Sequence, residues 1–311
     1  MTRHYRICGL IVASAYELPG AIRVEIRNEI ADVQLRRSAS LLSALENATA
    51  CGPNWSAADE QILLSIPGLA RCLVTGGQEI AVEAAAGARE DDIAPFLEVG
   101  VIAIVLHQRQ QLTLRASAVS LAEKAVVFCG SPGAGKSTLA AVLSDRGYPF
   151  FTDDLCCVGG RGPHEPTVAP DGATLRLWGD AVDRLAQPDR RGAALRRGVQ
   201  KFHVEPMCVA RQPSLPIHAI YMIRDDHPSL ASGISSLPVG EAAMLLRRNA
   251  YSSHLAALTG SDKLFFDQAA ALQRRVKLFS LTRPVGLDAM PQVIDQLEAH
   301  WRSLGLIGAA T

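Results

Sequence analysis

Short apolar segments separated by turn residues fill the N-terminal part of the chain. Segments rich in β-branched residues lie at residues 5–12, 21–26, 61–66, 71–75 and 79–83. Segments of this length and composition, bounded by glycine and polar residues, predict β-strands. Gly76-Gly77 separates the last two segments and predicts a hairpin turn. The pattern therefore predicts a small β-rich unit.

A longer apolar stretch, residues 93–107, follows Asp91 and Asp92. Acidic residues interact favourably with the positive end of a helix dipole, so this stretch predicts a helix. Shorter apolar segments then predict strands at residues 112–114, 118–121 and 125–129. We expect a β-rich N-terminal domain over residues 1–111, which ends in this linking helix, and a nucleotide-binding domain over residues 112–311.

The second part of the chain alternates between strand and helix patterns. Strands are predicted at residues 150–155, 218–223 and 276–281, and helices at residues 139–143, 239–249, 269–275 and 289–301. This alternation predicts a mixed α/β fold. Residues 187–212 differ, because they show little periodicity and hold Arg190, Arg191, Arg196, Arg197, Lys201 and Arg211. Two interpretations are open: a solvated loop, or a mobile lid that contacts phosphates or an acidic substrate.

Composition restricts the classes of partner. The 311 residues are 48% hydrophobic, and 31 basic residues balance 31 acidic ones. A formal charge of zero argues against a general nucleic-acid or anionic-membrane surface. The seven cysteines are odd in number and lack paired C-x-x-C spacing, so we expect reduced, mostly buried thiols in a cytoplasmic protein. No run approaches the roughly 18 apolar residues of a membrane helix.

The segment after the predicted strand 125–129 fits the pattern G-x-x-x-x-G-K-[ST] without a mismatch. Such a loop binds phosphate because its glycines let successive backbone N–H groups face an anion, while the following helix adds its positive end. A lysine in this pattern reaches the β- and γ-phosphates, and the next hydroxyl binds Mg²⁺. The candidate nucleotide-binding residues are Gly130, Ser131, Gly133, Ala134, Gly135, Lys136, Ser137 and Thr138.

Asp153 and Asp154 end the apolar segment that follows the loop helix. A phosphate-loop kinase needs an acidic residue for Mg²⁺ and a group that accepts the proton of the attacking hydroxyl, and adjacent acids can divide these tasks. The alternative is a helix cap or a turn pair. His107, His203 and His254 are isolated and predict packing or surface positions, and Cys156-Cys157 predict buried thiols.

Taken together, these segments resemble the HPr serine kinase/phosphorylase catalytic domain. The likeness rests on the loop, Arg146-Gly147-Tyr148 and Thr152-Asp153-Asp154. The chain is more similar still to the shorter HPr-kinase-like proteins of peptide-modification systems, including the lasso-peptide precursor kinases. Further similar segments are residues 106–109, 114–119, 175–178, Lys201 and Arg283-Pro284, so that the resemblance runs from about Tyr5 to Trp301.

The resemblance implies roles for single residues. Lys136 and Ser137 would bind phosphates and Mg²⁺, and Asp153 and Asp154 would share the metal-binding and base roles. Which acid has which role stays open; we take Asp153 as the metal-linked acid and Asp154 as the base. The family usually has a histidine where this chain has Arg115. An arginine cannot exchange protons near neutral pH, but it lowers the pKa of a carboxyl group with which it pairs. We therefore expect Arg115 to lie beside the two acids and to influence catalysis.

The resemblance implies an ATP- or GTP-dependent kinase that phosphorylates a serine hydroxyl of a peptide or small protein, with a lasso-type precursor as the favoured acceptor. It would use Mg²⁺, bind neither nucleic acid nor membrane, and could form homo-oligomers. The first alternative is a catalytically impaired nucleotide-binding module that recognises a peptide in a maturation complex, which Arg115 favours. The second is a kinase for the hydroxyl of a small metabolite.

Overall fold

The computed structural model describes residues 2–26, 30–41, 43–160, 164–185, 188–225, 232–251, 261–284 and 286–308. His254 lies outside this part of the chain. Two large β-sheets, a small third sheet and several helices make up the described residues, which confirms the mixed α/β class. No helix among them is long and apolar enough to cross a membrane.

The N-terminal part forms a nine-stranded sheet. Its strands are β1 Arg3–Ile7, β2 Leu10–Ser14, β3 Ile22–Arg23, β4 Val33–Arg37, β5 Ala50–Gly52, β6 Trp55–Ala58, β7 Gln61–Ile66, β8 Ala70–Thr75 and β9 Glu79–Ala84, in the order β3-β1-β2-β4-β9-β8-β7-β6-β5. The hairpin at Gly76-Gly77 is confirmed, because both residues have positive φ between the antiparallel strands β8 and β9. The single strand predicted over residues 5–12 was wrong, since Cys8 and Gly9 have positive φ and turn the chain between β1 and β2.

The predicted linking helix is longer than expected and has three parts. These are α1 Glu90–Pro95, a π-helical turn Phe96–Val101 and α2 Ile102–Gln108. Pro95 has no N–H to donate, which interrupts the α-helical hydrogen bonds at the point where the π-helical turn begins. The apolar side of the segment packs on the nine-stranded sheet through Ile93, Leu97 and Val105.

An eight-stranded sheet forms the second layer. Its strands are β10 Thr113–Leu121, β11 Lys124–Cys129, β12 Phe150–Thr152, β13 Leu155–Gly159, β14 Thr167–Ala169, β18 Leu215–Asp225, β19 Gly233–Ser236 and β20 Lys277–Arg283. The two strands predicted at residues 112–114 and 118–121 are one continuous strand, β10. Strand β18 runs parallel to both β11 and β20 in the middle of this sheet.

Helices cover the second sheet, and a small third sheet lies beside the phosphate loop. The helices are α3 Lys136–Asp145, α4 Gly179–Arg184, α5 Val239–Asn249, α6 Asp262–Gln273 and α7 Met290–Ser303. The third sheet has the order β15-β17-β16, with β15 Leu175–Trp178, β16 Arg191–Ala194 and β17 Lys201–Val204.

The arginine-rich segment contributes two strands of the third sheet, so the expectation that residues 187–212 lack regular structure was wrong for their described part. Several of its arginines have fixed partners. Arg190 pairs with Asp145 at 2.7 Å, and the guanidinium of Arg191 lies 3.6 Å from the ring centroid of Phe202. That the segment moves when ligands bind stays a prediction.

Residues of the two predicted domains pack together in one hydrophobic cluster. Leu155 and Cys157, which follow the predicted boundary, belong to the same buried cluster as the core of the nine-stranded sheet. The backbone N–H of Cys8 also donates to Pro170 across this junction, at 2.7 Å. These contacts cross the predicted boundary and do not locate it, so the boundary at residue 112 stays a prediction. All seven cysteines are free, and five of them are buried.

His107 should make stability depend on pH. Burial lowers its pKa to about 4, and its ring stacks on Phe265 at 5.3 Å. The unfolded chain has a pKa near 6.5, so it binds more protons than the folded chain between these values. The stabilisation is therefore complete above about pH 6.5 and is lost as the pH falls towards 4.

We expect His107→Phe, which keeps a ring on Phe265, to flatten this loss of stability. Guanidinium unfolding at pH 7.5, 5.5 and 4.5 measures the effect, with the exposed His164→Gln as control. An equally steep loss of stability in His107→Phe and in the wild type would contradict the assignment. His203, whose pKa burial also lowers to about 4, keeps part of the pH dependence in the variant.

Candidate functional site

The candidate phosphate loop, residues 130–135, connects β11 to the N-terminus of α3. Gly133 and Gly135 have φ of +83° and +80°, a region that favours glycine. At Gly130 a Cβ atom would lie 3.1 Å from the carbonyl oxygen of Ile223, so the neighbouring strand also favours glycine there. The strand, the loop and the helix follow one another as the pattern requires.

Arg283, at the end of β20, stabilises the candidate phosphate loop through a hydrogen bond. Its Nη2 donates to the carbonyl oxygen of Ala134 at 2.6 Å, and its Nη1 donates to that of Pro284 at 3.0 Å. A Cβ atom on Gly135 would lie 2.5 Å from this Nη2. Glycine at position 135 therefore leaves room for the side chain of Arg283, and the hydrogen bond from Arg283 stabilises the turn before α3.

Lys136 is the first residue of α3, and its side chain folds back over the loop. Its Nζ donates to the carbonyl oxygens of Gly130 and Ser131 at 2.8 and 3.0 Å. Burial lowers the pKa of this ammonium group. Thr138 lies one turn along from the loop and faces the same cavity.

Asp153 follows β12 and is fully buried. Its Oδ1 accepts hydrogen bonds from the hydroxyls of Ser117 (2.6 Å) and Ser137 (2.8 Å), and its Oδ2 accepts one from the backbone N–H of Arg176 (2.9 Å). Burial raises the pKa of this carboxyl group, and the neighbouring charge of Asp154 adds to the effect. A direct hydrogen bond thus joins the first turn of α3, which follows the candidate phosphate loop, to the first of the paired acids.

Asp154 has a φ of +73°, so strand β12 has ended before it. Its Oδ2 lies 3.5 Å from Nζ of Lys201 and 3.9 Å from Nη1 of Arg176. The side chain is 31% exposed and lines a cavity, whereas Asp153 lies behind the cavity wall. The two acids therefore occupy different environments, as a division of tasks would require.

Arg176 in β15 joins the acids of the site and was not predicted as a site residue. Its Nη1 donates to Oδ2 of Asp171 at 2.7 Å and to the carbonyl oxygen of Asp153 at 2.8 Å. Its Nη2 lies 3.6 Å from Oε2 of Glu98. Arg176, Asp171 and Glu98 are all almost fully buried.

Asp171 and Glu98 were missed by the sequence analysis. Asp171 accepts hydrogen bonds from the hydroxyl of Thr152 at 2.7 Å and from the backbone N–H of Asp153 at 3.1 Å, which fixes the turn that carries the acids. Glu98 lies in the π-helical turn, and its Oε1 accepts the backbone N–H of Gly20 at 2.9 Å. Burial raises the pKa of Glu98. Through Glu98, the N-terminal part of the chain contacts the site.

Arg115 lies near the acids but does not pair with them. Its guanidinium lies 4.1 Å from the ring centroid of Tyr251. Within the described part of the chain, the cations within ion-pair distance of Asp154 are Lys201 and Arg176, and Arg115 has no such contact with Asp153. Arg115 therefore does not form with Asp153 the charge pair that was expected to lower the pKa of an acid, and burial raises the pKa of Asp153.

These elements enclose a cavity of about 600 Å³, whose lining includes Gly133, Lys136, Ser137, Asp154, Lys201 and Arg115. The exposed Trp178 and the half-buried Leu287 also line it. Among the described residues no three His, Cys, Asp or Glu side chains form a metal site by themselves. The hydroxyl of Ser137 and the carboxylate of Asp153 are hard oxygen donors 2.8 Å apart, which fits Mg²⁺ if phosphate oxygens and water complete its shell.

Comparisons with known proteins add a distant similarity. No family model matches the chain, and no curated protein matches it. Among solved structures it is similar to the HPr(Ser) kinase/phosphatase from Coxiella burnetii, with a TM-score of 0.34 and 12% sequence identity over 62% of this chain and 92% of that chain. Similarity at this level assigns neither an activity nor a substrate.

Proposed function

We propose that the protein is an ATP- or GTP-dependent kinase that phosphorylates a serine hydroxyl of a peptide or small protein, with a lasso-type precursor peptide as the favoured acceptor. One observation carries the proposal. The hydroxyl of Ser137, which follows the loop lysine, bonds to Asp153 at 2.8 Å, and the adjacent Asp154 lines the cavity that Lys136 faces. The groups proposed to bind phosphate, to bind Mg²⁺ and to accept the proton thus lie around one cavity.

The arrangement supports in-line transfer of the γ-phosphoryl group. The loop N–H groups and Lys136 would bind the phosphates, the lysine exchanging its present carbonyl partners for phosphate oxygens. Ser137 and Asp153 would hold Mg²⁺, which would supply positive charge that neutralises the phosphates. Asp154 accepts the proton of the serine hydroxyl while the new O–P bond forms and the bond between the β- and γ-phosphates breaks, which releases the nucleoside diphosphate.

The alternative of a nucleotide-binding module without catalysis has one observation in its favour. Arg115 stands where the similar family has a histidine, and a guanidinium cannot transfer the proton. Asp154 does not depend on that histidine for its place, since Asp171, Arg176 and Lys201 hold the turn and its carboxylate. The kinase remains the better supported function.

Lys136→Ala should weaken the binding of Mg·ATP by at least tenfold, because the variant loses the ammonium group that neutralises phosphate charge. Isothermal titration calorimetry measures the affinity. Lys263→Ala is the matched control, since this lysine is exposed on α6 and pairs only locally with Asp267. Equal affinities of the wild type and Lys136→Ala for ATP would refute the assignment of the loop.

A further inference from the structure

Within the described part of the chain, the charge of Arg115 has no carboxylate partner in the candidate active-site cavity. Its side chain is exposed and contributes to the cavity wall together with Lys136, Asp154 and Lys201. Within the described residues no carboxylate lies within ion-pair distance of its guanidinium. The cation therefore faces the place where an acceptor would approach Asp154.

The structure holds this guanidinium in position. It stacks on the ring of Tyr251 at 4.1 Å, and Nη2 is 3.4 Å from the carbonyl oxygen of Tyr251, a long contact that adds little. Tyr251 is itself tied to β10, because its N–H donates to Thr113 at 2.8 Å and Ala250 forms a bridge with Leu114. A long, flexible side chain thus has a fixed support, and its one hydrogen-bond contact with the described residues is this long one to Tyr251.

The strand register gives the side of the site on which Arg115 lies. Arg115 and Ser117 are two residues apart on β10 and therefore lie on the same face of the strand. The hydroxyls of Ser117 and of Ser137, in the first turn of α3, both donate to Asp153, whereas Arg115 is opposite Leu155, the residue after Asp154. Ala116 is opposite Cys129, the last residue before the candidate phosphate loop, so Arg115 lies at the end of β10 that is next to both this loop and Asp154.

We propose that Arg115 is the anion-binding group of the acceptor site, so that the acceptor serine carries a carboxylate or a phosphate on a neighbouring residue. This inference rests on the proposed kinase function. An acidic acceptor that approaches Asp153 and Asp154 is repelled by both carboxylates, and Arg115 offsets this repulsion. The planar guanidinium also binds a carboxylate or a phosphate with two parallel hydrogen bonds, which fixes the hydroxyl beside Asp154.

Three matched peptides test the proposal by their kcat/KM with Mg·ATP: one with a neutral residue beside the serine, one with Asp there, and one with phosphoserine there. In the wild type we expect at least tenfold preference for one of the anionic peptides, and the better of the two identifies the source of the anion. Arg115→Gln should bring the three peptides to within about twofold of one another. Arg115→Lys should keep part of the preference, because it keeps the charge but loses the planar fork.

Two variants of Tyr251 test the contribution of the aromatic ring independently of the charge of Arg115. Tyr251→Phe keeps the ring under the guanidinium and should keep the preference, whereas Tyr251→Ala should lose part of it. Arg247→Gln is the control, since this exposed arginine pairs with Asp262 and does not line the cavity. An unchanged preference in Arg115→Gln, or no preference in the wild type, would overturn the proposal.

A measurement without turnover separates this inference from the proposed function. The side-chain ¹⁵Nε–H signal of Arg115, assigned by its loss in Arg115→Gln, is followed while each peptide is added to the complex with Mg²⁺ and a non-hydrolysable ATP analogue. A shift with an anionic peptide and none with the neutral one supports the anion site, even if no peptide is phosphorylated, which would refute only the kinase. No shift with either anionic peptide overturns the inference, even if serine is phosphorylated.

Discussion

Asp154→Asn is expected to lower the rate of phosphoryl transfer by about 10²–10⁴-fold, the usual contribution of a general base. The amide cannot accept the proton of the attacking hydroxyl, while its similar size leaves the turn and the cavity unchanged. ATP affinity should stay within a few-fold of the wild type, because Asp154 does not contact the phosphate loop directly and Lys136 and Ser137 are intact. Transfer to a serine peptide and calorimetric binding of Mg·ATP measure the two effects.

Asp153→Asn is the informative companion, because it should reduce both activity and Mg·ATP affinity. The asparagine cannot accept from two hydroxyls and from the backbone N–H of Arg176 as the carboxylate does. Asp295→Asn removes an exposed carboxylate that pairs with Arg146 and serves as the control. Robust transfer that survives the loss of either acid would refute the mechanism.

The conformation of the candidate phosphate loop could be predicted from the sequence because it depends on local residues. Nine consecutive residues supply the glycines, the lysine and the hydroxyls, and the apolar segments on either side specify the strand and the helix. The same holds for the hairpin at Gly76-Gly77, where two glycines supply the positive φ that the turn needs. Such features need no information about distant parts of the chain.

Asp171 and Glu98 could not be predicted, because their roles depend on contacts between distant segments. Asp171 lies in Pro170-Asp171-Gly172, a sequence typical of an ordinary turn. Glu98 lies in an apolar helical stretch and would be expected on a solvated face, yet it is 1% exposed. Only the fold brings both of them to Arg176.

For the arginine-rich segment, residues 187–212, the sequence predicted no regular structure where the protein forms strands. Its polarity and lack of periodicity are typical of a loop, because sequence patterns do not reveal which acid each arginine meets. In the structure, Asp145 neutralises Arg190 and the ring of Phe202 supports Arg191, so strand β16 can form with every side chain exposed. Arg115 could be placed near the acids from the resemblance, but its stacking on Tyr251 could not.

Arg176→Met should produce the largest loss of stability, about 3–5 kcal/mol in the free energy of unfolding, the range for breaking a buried ion pair. Methionine fills much of the space but leaves the buried carboxylates of Asp171 and Glu98 without their cation. Arg146→Met is the control. Arg146 also contacts two acids, Asp295 and Glu298, but it is 56% exposed, so its loss should cost about 1 kcal/mol or less.

The pH dependence distinguishes this electrostatic cause from a simple packing defect. Without Arg176, a buried carboxylate has a folded-state pKa above its unfolded value, so the folded variant binds more protons than the unfolded chain as the pH falls. The stability difference between the wild type and Arg176→Met should therefore be largest near pH 7.5 and smaller near pH 5. Chemical unfolding at both pH values measures it, and a deficit below about 1 kcal/mol, or one independent of pH, would show that Arg176 does not stabilise the fold through its charge.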